Sequence, residues 1–135
     1  MLQFTPLQTT DKDYSFVENL LHESFPEAER RDDVGQRDNV DNCADFTCYL
    51  ISDDELLVGL ITVWKFAGFS YVEHLATSPS VRNKGYGRKI WKWRNRWTNG
   101  VAGVLVFISG ADSVYAKKSM YSLRTAREEK HFLCS

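Results

Sequence analysis

"SPSVRNKGYGRKIW", residues 78–91, decides how this chain is read. A strand-like run, "YVEHLAT" (71–77), ends just before it, and a helical pattern starts inside it. Gly85 and Gly87 stand in the first turn of that helix, where glycine costs backbone entropy. Arg82, Lys84, Arg88 and Lys89 crowd the same turn, where like charges repel. A helix N-terminus, however, leaves backbone N–H groups unpaired and carries partial positive charge. Two residues without a Cβ let a bulky anion reach those groups, and the surrounding cations hold it. The stretch therefore reads as a cradle for a diphosphate. It is neither a G-x-x-x-x-G-K-[ST] loop nor a G-x-G-x-x-G fingerprint. The competing reading is a solvated basic turn, which leaves the glycines without a purpose.

Working outward, Gly85 to Thr98 reads as a helix with Tyr86, Ile90, Trp93 and Trp97 on one stripe. "GVLVFIS" follows as a buried-type strand and "SVYAKKSMYSLRTAREEK" as a last helix. Upstream, "FTCYLIS" and "ELLVGLITVWKF" are strands joined by the turn "SDDE", a hairpin, and "FSYVEHLATS" is the next strand. "LQFTPL" opens the chain as a strand. Phe16, Leu20, Leu21 and Phe25 then recur at helical spacing, with Thr10 or Asp11 as the N-cap and an end near Pro26. Residues 27–42 are nearly all polar and read as a loop or a short exposed helix. This order predicts an α/β (α+β) fold, a mixed, mainly antiparallel central sheet flanked by helices.

The 135 residues suit one domain spanning 1–135, with 43% hydrophobic and 26% charged residues in the ordinary globular range. Cys43, Cys48 and Cys134 have no CxxC spacing and read as reduced thiols. No signal-peptide pattern opens the chain and no apolar run reaches membrane-spanning length, so a cytoplasmic protein without a membrane partner is expected. His22, His74 and His131 have no metal-ligand spacing, and no metal is expected. The net charge of −1 conceals a division. Residues 1–74 hold 5 Lys and Arg against 15 Asp and Glu, and residues 75–135 hold 12 against 3. An anionic partner belongs with the second half and a cationic one with the first.

"LATSPSVRNKGYGRKI" resembles the cofactor motif of the GNAT superfamily of N-acetyltransferases, whose core is Q/R-x-x-G-x-G/A; here it reads Arg82-Asn83-Lys84-Gly85-Tyr86-Gly87. The hairpin with Gly59, the strand "YVEHLATSP" and the stretch "ESFPEAERR" extend the likeness over about residues 1–100. The resemblance implies acetyl-CoA, its diphosphate on the backbone N–H groups of Asn83 to Arg88. Its pantetheine arm would pair with the main chain of Leu75, Ala76 and Thr77.

Direct attack of an amine on a thioester needs a group that takes the ammonium proton and one that protonates the departing thiolate. Strand alternation puts Tyr71, Glu73 and Leu75 on one face and Val72, His74 and Ala76 on the other. The resemblance assigns the base to the Tyr71/Glu73 face. Glu73, the one carboxylate near the motif, is the candidate, acting directly or through water; pairing with a nearby Arg is its other reading. His74 would point the opposite way, as a core or surface histidine. The family places the acid on the last helix, which makes Tyr121 the candidate and Tyr115 the reserve. Glu27, Arg30 and Arg31, with Tyr71, would shape the pocket for a small-molecule or peptide amine.

Family members continue into two more strands after the tyrosine. "SLRTAREEKHFLCS" has no room for them, so the fold is expected to lack its last strands, and the exposed sheet edge invites a homodimer. Two other functions fit parts of the sequence. One is an acyl-CoA-binding pseudoenzyme. The other is a nucleic-acid module built on the seven cations of 82–96 with Trp91 and Trp93. The ten-charge acidic excess of residues 1–74 and a pI near 6.3 disfavour the nucleic-acid reading.

Overall fold

The computed structural model describes residues 1–98 and the backbone of 103–106. A five-stranded sheet runs in the order β1 (Leu2–Pro6), β2 (Phe46–Asp53), β3 (Leu56–Lys65), β4 (Phe69–Thr77) and β5 (Gly103–Val106). The first four strands are antiparallel to their neighbours, and β5 is parallel to β4 over Phe69–Val72. The sheet is thus mixed and mainly antiparallel, as the sequence predicted. The hairpin turn between β2 and β3 puts Asp54 at φ 53°, a left-handed conformation that Asp tolerates.

One face of the sheet is covered by α1 (Tyr14–Ser24), whose Tyr14, Val17, Leu20 and Leu21 pack with Cys48, Leu60, Trp64 and Tyr71. The other face carries Ile51, Ile61, Val63 and Val72, which pack with Ile90 of α3 (Tyr86–Lys92) and Trp97 of α4 (Asn95–Thr98). Helices therefore flank both faces. Cys48 is a free thiol in the first core, and burial pushes it up to about 12. Cys43 is disulfide-bonded, contrary to the reduced thiol expected there.

Three elements depart from the sequence reading. Asp11 is not the cap of α1: its carboxylate accepts from Gln8 N–H (2.7 Å) and its carbonyl from Tyr14 N–H, and α1 starts after Asp13. The polar segment contains a 3-10 turn (Glu27–Glu29) and a full helix, α2 (Asp33–Asn42). Asp32 caps α2 by accepting from Gly35 N–H at 2.7 Å, and Gln36, Asn39 and Val40 are buried. The helix expected over 85–98 breaks after Lys92. Arg94 N–H goes to Trp91 O rather than to Ile90 O, and the Trp97 indole N–H takes the vacated Ile90 carbonyl at 3.2 Å. Burying Trp97, 1% exposed, decides the break. Trp93 consequently leaves the apolar stripe and stands 37% exposed.

The last helix expected over 113–130, with Tyr115 and Tyr121, and the sheet edge beyond it lie outside the described residues. Among the described residues no helix is long and apolar enough to cross a membrane.

Candidate active site

The site begins where β4 ends. Ser78 N–H donates to Val58 O (2.7 Å), and the carbonyl of Ala76 lies 2.1 Å from where a Cβ on Gly59 would stand. Only glycine admits β4 so close to β3. Main-chain groups of an antiparallel strand alternate between its two neighbours. Ser78 and Ala76 therefore turn theirs to β3, and Leu75 and Thr77 turn theirs to the opposite edge. Of the three residues expected to pair with an extended ligand, Leu75 and Thr77 present main-chain groups and Ala76 lies between them. The Thr77 carbonyl accepts from Arg82 Nε at 3.2 Å, which ties the turn to the strand.

A 3-10 turn (Pro79–Val81) then leads into Arg82-Asn83-Lys84-Gly85. Asn83 (φ 65°) and Gly85 (φ 82°) are left-handed, which bends the chain sharply into α3. Nothing lies within 4 Å of a Cβ built on Gly85 or Gly87. The turn thus offers open space above backbone N–H groups, with Arg82, Asn83, Lys84 and Arg88 exposed around it. Tyr86, between the glycines, packs beside the second core and donates to Asp53 Oδ2 at 2.8 Å. That carboxylate pushes the Tyr86 phenol up, and the bond pins the turn to the hairpin.

The Glu73 side of the candidate site rests on an irregularity of β4. Thr62 is paired with His74 and Val63 with Val72, so Glu73 is the extra residue of a β-bulge. His74 N–H donates to the Thr62 hydroxyl at 2.9 Å. Past the bulge the alternation changes phase. Tyr71, His74 and Ala76 all lie on the α1 face, while Val72 and Leu75 pack with the second core. Glu73 joins Tyr71 on its face as expected, but Leu75 does not, and His74 points the same way rather than the opposite one. The bulge is what overturns simple counting.

Glu73 is engaged at both oxygens. Arg31 donates to Oε1 at 2.6 Å and the Trp64 indole N–H to Oε2 at 2.8 Å. Arg31 also donates to Gln36 Oε1 at 2.9 Å, and its guanidinium lies 5.7 Å from the centroids of both Phe46 and Trp64. A carboxylate with two donors keeps lone pairs for further partners. His74 is 3% exposed; its Nε2 meets the Glu29 carbonyl at 3.0 Å and its ring meets Phe25 edge-on. Burial holds the imidazole below its usual range, against the opposing pull of Glu73. A small hollow between α1, α2 and β4 is lined by Arg30, Arg31, Gln36 and His74 among others. Of the residues expected to shape an acceptor pocket, Arg30 and Arg31 line this hollow, Tyr71 is fully buried in the core, and Glu27 is an exposed side chain that does not line it. Trp64, Gln36 and Asp53 were missed. Trp64 closes an apolar run and reads as core, and its partner Glu73 lies 9 residues away and Asp53's partner Tyr86 33 away, which leaves no local signal.

The profile of the acetyltransferase (GNAT) family matches residues 14–109. Of the similar solved structures, a protein from Bacteroides thetaiotaomicron described as a GNAT-family acetyltransferase shares 33% identity. It superposes with a TM-score of 0.73 over 92% of this chain and 70% of its own. The chain belongs to the GNAT acetyltransferase family. AAC(6')-Iy, in complex with the bisubstrate analogue CoA-S-monomethyl-acetylneamine, has 12% identity and TM-score 0.59 over 91% of this chain and 89% of its own. The ribosomal-protein-S18-alanine N-acetyltransferase of Escherichia coli has 16% identity and TM-score 0.59 over 91% and 76%. These two share the fold. No curated protein sequence matches the chain.

Proposed function

We propose that the protein is an N-acetyltransferase that uses acetyl-CoA and a primary amine. The observation that carries this reading is the turn before α3: a left-handed Gly85, open space over Gly85 and Gly87, and exposed cations around them. A cradle shaped by missing Cβ atoms fits a diphosphate, and the family's neighbours include one crystallised with a CoA conjugate. The backbone N–H groups of Asn83 to Arg88 would hold the diphosphate, with Arg82, Lys84 and Arg88 neutralising it. The outward main chain of Leu75 and Thr77, flanking Ala76, would hold the pantetheine arm like an added strand.

Acetyl-CoA when bound supplies a thioester carbon for an amine nitrogen to attack. Glu73, on the bulge of the same strand, takes the amine's surplus proton directly or through a water. Tyr121 is proposed to return a proton to the leaving sulfur. Arg30 and Arg31 frame the acceptor side, with Glu27 exposed outside the hollow and Tyr71 in the core, and the acidic first half favours a cationic amine.

Calorimetric titration with acetyl-CoA, on the wild type and on Gly85→Glu, tests the cofactor site. Saturable binding that Gly85→Glu abolishes supports it, and no binding by the wild type overturns it. Thiol release with a panel of amines then separates a transferase from an acyl-CoA-binding protein without turnover.

A further inference from the structure

We infer that Arg31 is a positioning residue for Glu73, an inference that rests on the acetyltransferase reading above. Glu73 sits on the bulge of β4, where the register with β3 shifts. Its aim comes from side chains. Arg31 reaches it from the segment between the 3-10 turn and α2, 42 residues away in sequence, and Trp64 reaches it from β3. The guanidinium is itself fixed on three sides: one nitrogen on Gln36 of α2, and the Phe46 and Trp64 rings within cation–π range. The ion pair is mostly shielded from water, at 21% and 12% side-chain exposure. A planar fork of donors can serve Gln36 and Glu73 together, which a lysine ammonium on a flexible stem does poorly. The chain therefore commits a half-buried cation to holding one carboxylate, which fits a group whose direction matters to the reaction. The same link fastens α2, which walls the acceptor hollow, to the strand that would carry the cofactor arm.

The Trp64 indole N–H reports the position of Glu73 without any substrate. Its nitrogen–hydrogen NMR resonance is compared in the wild type, Glu73→Gln, Arg31→Met and Arg31→Lys, together with Gln36→Met in case Arg31→Met does not fold. Positioning predicts that Arg31→Met moves the resonance most of the way to the Glu73→Gln position, with Arg31→Lys and Gln36→Met in between. With the best amine of a panel holding a polyamine, an aminoglycoside and a peptide N-terminus, kcat of Arg31→Met falls by about tenfold to a hundredfold. KM for acetyl-CoA stays within about twofold, and Arg31→Lys recovers part of kcat. An unmoved resonance in folded Arg31→Met or Gln36→Met overturns the inference, as does a loss confined to KM for the amine. If no amine reacts and acetyl-CoA does not bind, the acetyltransferase reading fails, and the resonance still decides whether Arg31 holds Glu73.

Discussion

Gly59 and Gly87 serve different ends, and substitution separates them. At Gly59 a methyl would collide with the Ala76 carbonyl, 2.1 Å from the Cβ position. Gly59→Ala should destabilise by about 1–3 kcal/mol or more, read as a lower urea midpoint. At Gly87 nothing lies within 4 Å and φ is not positive. Gly87→Ala should keep or raise stability, by about 1 kcal/mol at most, yet weaken acetyl-CoA binding in calorimetry, because the methyl stands where the phosphates approach. Unchanged binding would remove Gly87 from the cradle. His74 predicts a pH effect. Burial lowers its pKa in the fold relative to about 6.5 unfolded, so below that value the unfolded chain binds the extra proton first. Stability from this group is full above pH ~6.5 and is lost as pH falls toward the folded value. Denaturation of the wild type and His74→Gln at neutral pH and near pH 5 should show the larger acid loss in the wild type.

At the scale of elements, α2 is the instructive case. Its segment is nearly all polar, so the sequence left it between a loop and a short exposed helix, yet Asp32 is an N-cap signal that the structure uses. Asp32→Ala should cost about 1 kcal/mol, checked by thermal denaturation. It should also loosen Arg31, the residue just before the cap. The hairpin, β4 and the turn into α3 were legible because alternation, turn residues and glycine are local features. The bulge in β4 and the break after Lys92 were not. The bulge depends on the register with Thr62 and Val63, and the break on where Trp97 finds room. No proline or glycine marks either place. The candidate site divided along the same line: its glycine-bearing turn was local and readable, whereas the Arg31–Glu73–Trp64 assembly joins residues far apart in sequence.

For the whole molecule, the division of charge along the sequence becomes a division between the two sides of the proposed reaction. The basic turn and α3 would face an anionic cofactor, and the acidic first half a cationic amine. Both attractions act through solvent and are screened over roughly 8 Å at physiological salt. Raising ionic strength should therefore increase KM for acetyl-CoA and for a polyamine together, and change little for a neutral amine. Equal salt dependence for charged and neutral acceptors would show that the acidic half plays no part. The sheet itself holds one more consequence. Skip Glu73, and Tyr71, Val72, His74, Leu75 and Ala76 fall into perfect two-residue alternation with β3. The strand needs every residue but that one. Excising residue 73 outright should thus leave an unbroken ladder between β3 and β4, and whatever stability is lost should come from releasing Arg31 and Trp64 rather than from the strand.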